Sequence, residues 1–352
     1  MTPRTFSFLA LATLSGIAAS AYAVSREPGF TTSRGGDIIF PALNTHIDDV
    51  SRIEIRTHDR TMTLKLGDSG WTLAESGDYA VQPKIVKAAI LGFAGLTYVE
   101  AKTRQADKYP KLDLAPPEAD GSRGKAVKVY AKSGDVLVDA VLGRVRYNMP
   151  GTTRDGLYIR KSDTPQTWLA LGQLEVSKLP SDWLKREIVN IKSKRVKSAE
   201  IRHPDGEVIS VSKNAATDHH FSMSGIPDGK KLKYDNDPDN IAAVLEDFEL
   251  DDVRPAGEIP FDPKHTIITR IATFDGLIID LHMITSKTGP GGASQYWITL
   301  SAHVEGASPE RQHEAQDINA HASPWAFQLP AYKASRLNKR RSEMFKNVKT
   351  GS

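Results

Sequence analysis

Four acids in the latter half of this 352-residue chain stand where a calcium loop would put its ligands. Asp235, Asp237, Asp239 and Glu246 fill positions 1, 3, 5 and 12 of a twelve-residue run. A calcium loop turns sharply at its sixth residue and uses glycine there, and this run has Asn240. Pro238 suits the first turn of a helix with Asp237 as its cap, which carries Glu246 two turns away from Asp235. The pattern therefore predicts a helix start and not a cation site. Eight of the ten histidines lie in the same half: His203, His219, His220, His265, His282, His303, His313 and His321. Zinc ligands pair at helical or strand spacing. His313-Glu314 lacks the second histidine of a His-Glu-x-x-His helix, and neighbours such as His219 and His220 point to opposite faces of a strand. Scattered side chains are expected, with no metal and no cofactor. Gly289-Pro-Gly-Gly292 is followed by no Lys-Ser/Thr and reads as a hairpin tip, not a phosphate cradle. No Gly-x-Ser-x-Gly elbow follows the leader. Acid pairs such as Asp251-Asp252 serve glycoside chemistry only opposite a partner carboxylate, and read as solvated acids after a helix.

Two basic stretches remain. Lys185 to Lys197 joins the two halves, and Lys339, Arg340, Arg341 and Lys346 lie near the end, with Lys349 beyond. From Ala331 onward seven Lys and Arg face one Glu, a net +6, whereas the whole chain carries +3. One reading is complementation of helix C-termini. The other is contact with a partner or with anionic headgroups, at about 1 kcal/mol per basic residue. Lys339, Arg340, Arg341 and Lys346 are the candidate contact residues. Nucleic acid is not expected as a partner, because the chain begins with an export signal and has no basic-aromatic platform. Cysteine is absent, which excludes disulfides, thiolate metal sites and cysteine nucleophiles.

The elements that position these residues follow from periodicity. A basic start, an apolar run Phe6–Ala19 and Ala21-Tyr-Ala23 make residues 1–24 a signal peptide cleaved after Ala23 or a retained anchor helix. Residues 25–47 read as a linker. The remainder reads as one unit written twice, over 48–191 and 196–345, with a basic tail 346–352. Val50-Ser-Arg-Ile-Glu-Ile-Arg56 returns as Val196-Lys-Ser-Ala-Glu-Ile-Arg202, and Trp168 returns as Trp325. Ser51–Thr57 and Thr61–Leu66 alternate as a hairpin, and Trp71–Leu73 is a further strand. Pro83 opens a helix with Ile85, Val86, Ala89, Ile90 and Phe93 on one face, stopped by Gly95. Strands at Val127–Tyr130, Val136–Leu142, Leu157–Arg160 and Thr167–Leu171 follow, then a partly helical Gln173–Arg186 broken at Pro180. The second copy has a hairpin over Ala199–Val211, a strand near Phe221 and a helix from Pro238. Strands follow at Ile267–Phe274, Leu277–Ile284, Tyr296–Ser301 and Trp325–Leu329, with a polar helix capped by Ser308. The fold class expected is α+β, a tandem duplication of an antiparallel sheet with one main helix packed on it.

The first copy carries an ordered set of landmarks: Trp71-Thr-Leu73, Gln82-Pro83, Lys108-Tyr-Pro-Lys-Leu-Asp-Leu-Ala-Pro116, Val141-Leu-Gly143, Gly156-Leu-Tyr-Ile-Arg160 and Trp183-Leu-Lys-Arg-Glu-Ile-Val189. Together they make the chain resemble the bacterial domain-of-unknown-function 4340 family over about Val50 to Ile191, more weakly beyond. Phe221-Ser-Met223 stands in the second copy where Trp-x-Leu would. The resemblance implies an envelope protein, usually membrane-tethered, with some relatives accompanying ATP-driven export or gliding-type transport. It implies no catalytic residues.

The expected function is a non-enzymatic module on the periplasmic side, soluble or tethered, that binds transporter components or an envelope polymer. The rivals are a glycan- or lipid-acting hydrolase using acids and histidines of the second copy, and a structural spacer.

Overall fold

The computed structural model describes residues 35–287, 292–306 and 308–348. The leader with its processing position, the first ten linker residues, Gly289-Pro-Gly of the hairpin tip, and the tail from Lys349 lie outside the described residues.

The elements run as follows. Helix α1 (Pro41–Thr45) precedes β1 (Val50–Arg56), β2 (Thr61–Gly67), β3 (Gly70–Leu73) and β4 (Tyr79–Ala80). Helix α2 (Pro83–Ala94) leads to β5 (Thr97–Ala101), β6 (Lys125–Ala131), β7 (Val136–Arg146), β8 (Gly156–Lys161) and β9 (Thr167–Leu171). Then come β10 (Glu187–Val189), β11 (Val196–Arg202), β12 (Val208–Ser212), β13 (Ser222–Met223) and β14 (Lys230–Leu232). Helix α3 (Asp237–Ala242) precedes β15 (Phe248–Glu249), β16 (Asp252–Pro255), β17 (Ile267–Thr273), β18 (Leu277–Ser286) and β19 (Gln295–Val304). Helix α4 (Pro309–Ala322), β20 (Trp325–Leu329), α5 (Ala331–Leu337), α6 (Arg341–Met344) and β21 (Phe345–Asn347) complete the described chain. It is an α+β protein with antiparallel sheets. No helix among the described residues is long and apolar enough to cross a membrane.

Two compact units divide the chain, and each is discontinuous or begins within the other's span. Unit 1 takes the chain up to Thr61 and Lys87–Lys178; unit 2 takes Met62–Val86 and the chain from Leu179 on. The units therefore do not follow the boundaries 48–191 and 196–345. The reason is local packing: Tyr79 of β4 is buried with its ring 5.0 Å from Trp325 and 6.2 Å from Phe327, both of β20. Gly77 is in the left-handed region at φ 69°, and a Cβ there would lie 2.7 Å from Pro255, so glycine lets this turn close onto β16.

Within unit 1, six strands hydrogen-bond in the order β1-β6-β7-β8-β9-β5. Period-two alternation puts Val127, Val129 and Ala131 of β6 in the core. Part of the stretch expected as linker packs here. Ile39, Phe40 and Leu43 are buried, Ile39 N–H donates to the Leu96 carbonyl (2.9 Å), and the Phe40 ring meets Phe93 of α2 edge-on at 6.0 Å. Hydrophobic side chains outweigh the loop-like composition of that stretch.

Within unit 2, β2, β3 and β4 pair in order, and eight strands form β13-β12-β11-β17-β18-β19-β20-β16. Two short pairs, β10-β15 and β14-β21, stand apart. In β17, Ile267, Thr269, Ile271 and Thr273 face inward while Ile268 and Arg270 face out. The polar helix α4 starts where its cap predicts, with Ser308 Oγ accepting from Arg311 N–H (3.4 Å). Gln173–Arg186 differs from expectation: it contains no α-helix, only a 3-10 turn at Pro180–Asp182. The helix expected from Pro238 begins at Asp237, with Asn236 as the flanking residue and no side-chain cap.

Candidate binding clefts

Unit 1 carries two adjoining surface clefts. The first, of about 330 Å³, lies between the β7–β8 connection and the segment after β9; its walls include Val145, Tyr147, Arg154, Asp155, Leu157 and Leu174. The second, of about 450 Å³, is walled by Ala88, Leu91, Gly92 and Gly95 of and after α2. Arg154, Gly172, Gln173 and Glu175 line both.

The sequence builds these walls from three separated stretches. β7 and β8 pair through Arg146 and Gly156, and the turn beyond them puts Asn148 (φ 56°) and Gly151 (φ 76°) in the left-handed region. Asn148 N–H donates to Asp155 (3.3 Å) and Arg154 N–H to Thr152 Oγ1 (3.1 Å), which fixes the base of the turn. Gly92 lets the strap after β9 approach α2: a Cβ there would lie 2.8 Å from the Gln173 carbonyl oxygen. Lys125 Nζ donates to the Val176 carbonyl (2.6 Å), and burial, followed by Lys178, pulls the Lys125 ammonium below its ordinary value. The strap Gly172–Lys178 is thus tied to β6.

The exposed chemistry of the clefts is mixed. Leu91, Val145 and Tyr147 are three of the six large apolar side chains exposed on unit 1 among the described residues, and Tyr147 is 70% exposed. All three line these clefts. The Arg154 guanidinium between them makes no ion pair or hydrogen bond among the described residues. Apolar contact flanks one free cation, with Asp155 and Glu175 beside it. Nothing in the sequence pattern singled these residues out, because positions 88–95, 145–157 and 172–175 meet only in the fold.

The residues singled out from sequence are dispersed. Asp237 is buried with Oδ1 3.2 Å from Lys339 Nζ, Asp239 accepts from Phe221 N–H (2.7 Å), and Glu246 accepts from Ser193 N–H (2.6 Å). The four acids of the calcium-like run do not converge. Histidines take separate partners: His220 with Asp239 (2.9 Å), His265 with Asp262 (3.1 Å), His313 with Asp317 (3.0 Å). His203 is buried with Nε2 2.8 Å from the Lys339 carbonyl oxygen. Among the described residues no group of three His, Cys, Asp or Glu could hold a metal. His321 is the perturbed one. Burial, then Lys185, lowers its affinity for a proton, and Nε2 lies 3.3 Å from the Tyr79 hydroxyl, whose own ionisation burial pushes up. Desolvation also raises the Asp251 carboxyl, beside Arg186 (3.8 Å). Neither His321 nor Asp251 lines the two clefts.

Most of the C-terminal cations are engaged within unit 2. Arg340 pairs with Asp205 (2.6 Å), and the Glu207 amide, then Arg340, hold the Asp205 carboxyl below the usual range. Arg341 N–H donates to Glu207 (3.1 Å) and its guanidinium to the Gly225 and Val208 carbonyls. Lys346 Nζ donates to the Lys233 carbonyl (2.9 Å). At the joint between halves, Arg195 is held by Glu314 (2.8 Å) and Asp275 (3.0 Å).

The landmark residues turn out to be packing devices. Gly143 and Gly124 allow the Ala106–Asp113 segment to lie on the sheet: a Cβ on Gly143 would sit 2.2 Å from the Leu112 carbonyl oxygen, and one on Gly124 2.2 Å from that of Ala115. Tyr109 and Leu114 then bury against Val141, and Tyr109 donates to the Pro165 carbonyl (2.6 Å). In unit 2, Gln82 N–H donates to the carbonyl of fully buried Trp183 (2.8 Å), and Gln82 Nε2 to that of Leu184 (3.0 Å).

The fold and clefts define an antiparallel α+β protein with open surface depressions. The chain belongs to the DUF4340 family, described as a domain of unknown function, whose model matches residues 71–265, more than half of the chain. The match begins at Trp71 and runs past Ile191 into the second half, so it covers parts of both units. No curated protein matches the chain.

Proposed function

We propose that the protein is a non-enzymatic binding module of the cell envelope, exported by its leader and acting as an accessory to a transport or export assembly. The observation that carries this is the gathering of Leu91, Val145 and Tyr147 around the unpaired Arg154 guanidinium. Apolar side chains exposed beside a free cation suit a protein partner that offers an apolar side chain and a carboxylate. Aromatic and arginine anchors dominate such contacts. Mild-detergent co-purification from membranes tests it. Wild-type protein should carry a defined partner, and the double variant Tyr147→Ala, Arg154→Glu should lose it; a wild-type protein recovered alone would sink the reading.

The module is further read as a duplication. β1-β6-β7-β8-β9-β5 in unit 1 has the connectivity of β11-β17-β18-β19-β20-β16 in unit 2: after the first strand, the next one to form takes the far edge, and four strands meander between. Trp168 of β9 and Trp325 of β20 occupy corresponding strands. A single-copy relative whose strands ran in another order would remove this support.

The hydrolase reading rests on the His321–Tyr79 contact. No cleavage of glycans or esters by the wild type would dispose of it, and cleavage that survives His321→Ala would remove His321 from it.

A further inference from the structure

We infer that the β14–β21 ribbon of unit 2 is a docking surface for anionic lipid headgroups. The two strands pair antiparallel, Lys230 opposite Asn347, Lys231 opposite Lys346 and Leu232 opposite Phe345. Alternation puts Lys231, Lys346 and the following Lys233 on one face, and Lys230 with half-buried Leu232 and Phe345 on the other, so the docking lysines are Lys231, Lys233 and Lys346. Like charges directly opposite each other destabilise a strand pair. No acid lies within Lys230–Tyr234 or Phe345–Val348 to relieve them; Asp228 and Asp235 sit just past the ribbon. Lys230, Lys231, Lys233 and Lys346 are all exposed and make no ion pair among the described residues. Their other contacts are neutral: Lys346 Nζ donates to the Lys233 carbonyl, and Lys233 Nζ lies 5.4 Å from the Tyr234 ring.

This differs from Lys339, Arg340 and Arg341, whose charges are spent on Asp237, Asp205, Glu207 and backbone carbonyls. It shifts the contact from the basic tail as a whole to Lys346 together with Lys231 and Lys233, the latter 113 residues earlier in the chain.

Apolar side chains accompany the lysines. Tyr234 is 54% exposed, Val348 45% and Ile226 40%. Val348 N–H donates to the Gly229 carbonyl (2.9 Å), which ties the chain end to the turn carrying Ile226. A bilayer interface takes an amphipathic aromatic and short apolar side chains at the headgroup level, with lysine stems reaching to phosphates. A soluble polyanion offers nothing to the apolar part, so lipid is the occupant that uses the whole surface. The inference depends on the envelope reading only for its biological setting, since binding is measured on vesicles.

The test is sedimentation of the full chain with phosphatidylglycerol–phosphatidylcholine vesicles, in equal parts, and with phosphatidylcholine alone. The phosphatidylcholine arm reports binding that needs no headgroup charge, so the ratio isolates the headgroup term. Changing Lys231, Lys233 and Lys346 to Gln should lower binding to the anionic vesicles by about tenfold or more, and added salt should do the same to the wild type. A control trio of exposed lysines in other places, Lys65, Lys108 and Lys132 to Gln, removes the same charge and should retain most of the binding. Equal binding by ribbon variant and wild type, equal loss by both trios, or retention of polyphosphate with no preference for anionic vesicles would each overturn the inference. Failure of the envelope reading would show instead as fractionation of the protein with the cytoplasm.

Discussion

Gly143 offers the sharpest test at the scale of one residue. A Cβ there meets the Leu112 carbonyl at 2.2 Å and Leu114 side-chain atoms at 3.0 Å, and backbone cannot swing aside as a flexible side chain does. Gly143→Ala should destabilise by about 1–3 kcal/mol, read as a lower urea midpoint at unchanged slope. A neutral result would mean that the Ala106–Asp113 segment does not lie on β7 as described. His321 gives a pH signature. Its folded form resists protonation because burial, then Lys185, disfavour the cation, while Glu187 opposes them. The unfolded chain therefore binds the proton more readily, and the stabilisation present above the ordinary histidine range is lost as pH falls through the folded value. The urea midpoint of the wild type should fall more steeply between about pH 7 and pH 5 than that of His321→Gln; coincident slopes would contradict it. Residue-scale reasoning from sequence did well where a rule of geometry applied. Pro238 marked the first turn of a helix, and a helix does run from Asp237. It had no means of finding Arg154 or Tyr147, which carry no motif and gain meaning only from what stands across the cleft.

Among elements, the strap Gly172–Lys178 is the one whose state decides the clefts, because it supplies Gly172, Gln173 and Glu175 to both. Its middle is tied by the Lys125 ammonium, which donates to the Val176 carbonyl, while Gly172 N–H donates to the Asp155 carbonyl at its start. Lys125→Met keeps the apolar stem and removes the donor, so amide exchange should rise by about tenfold or more within Gly172–Lys178 and stay unchanged in β6 and β7. A rise spread evenly over unit 1 would show that Lys125 acts on global stability instead. Elements were legible in proportion to their length and periodicity. β1, β6, β7, β17, β18 and β19 have seven or more residues, with burial alternating in β6 and β17, and the helix from Pro83 buries Val86, Ala89, Ile90 and Phe93. The edge strands β5 and β16, of five and four residues, and the ribbon strands β14 and β21, of three each, are too short to show a period. Their place is set by pairing partners far away in sequence. Gln173–Arg186 read as partly helical, yet backbone pairing of Leu184 with Val81 and of β10 with β15 holds it extended.

For the molecule as a whole, the antiparallel α+β class was legible in the sequence, whereas the partition into compact units was not. Met62–Val86 is contiguous with the first half in sequence but packs its Tyr79 among Trp325 and Phe327. Burial of large aromatic area overrides chain order. Such side chains look alike in sequence whichever core they join. The same reason explains why the linker expected over 25–47 is partly a packed segment: Ile39, Phe40 and Leu43 are few, but each is nearly fully buried. Partner recognition through the clefts around Arg154 is the proposal most open to direct test. Photo-crosslinking in cells, with a reactive residue placed at Tyr147 and, as control, at exposed Lys132, provides that test. One discrete crosslinked species is expected from position 147, lost with Arg154→Glu and absent from position 132. No adduct at position 147, or the same pattern from both positions, would contradict it.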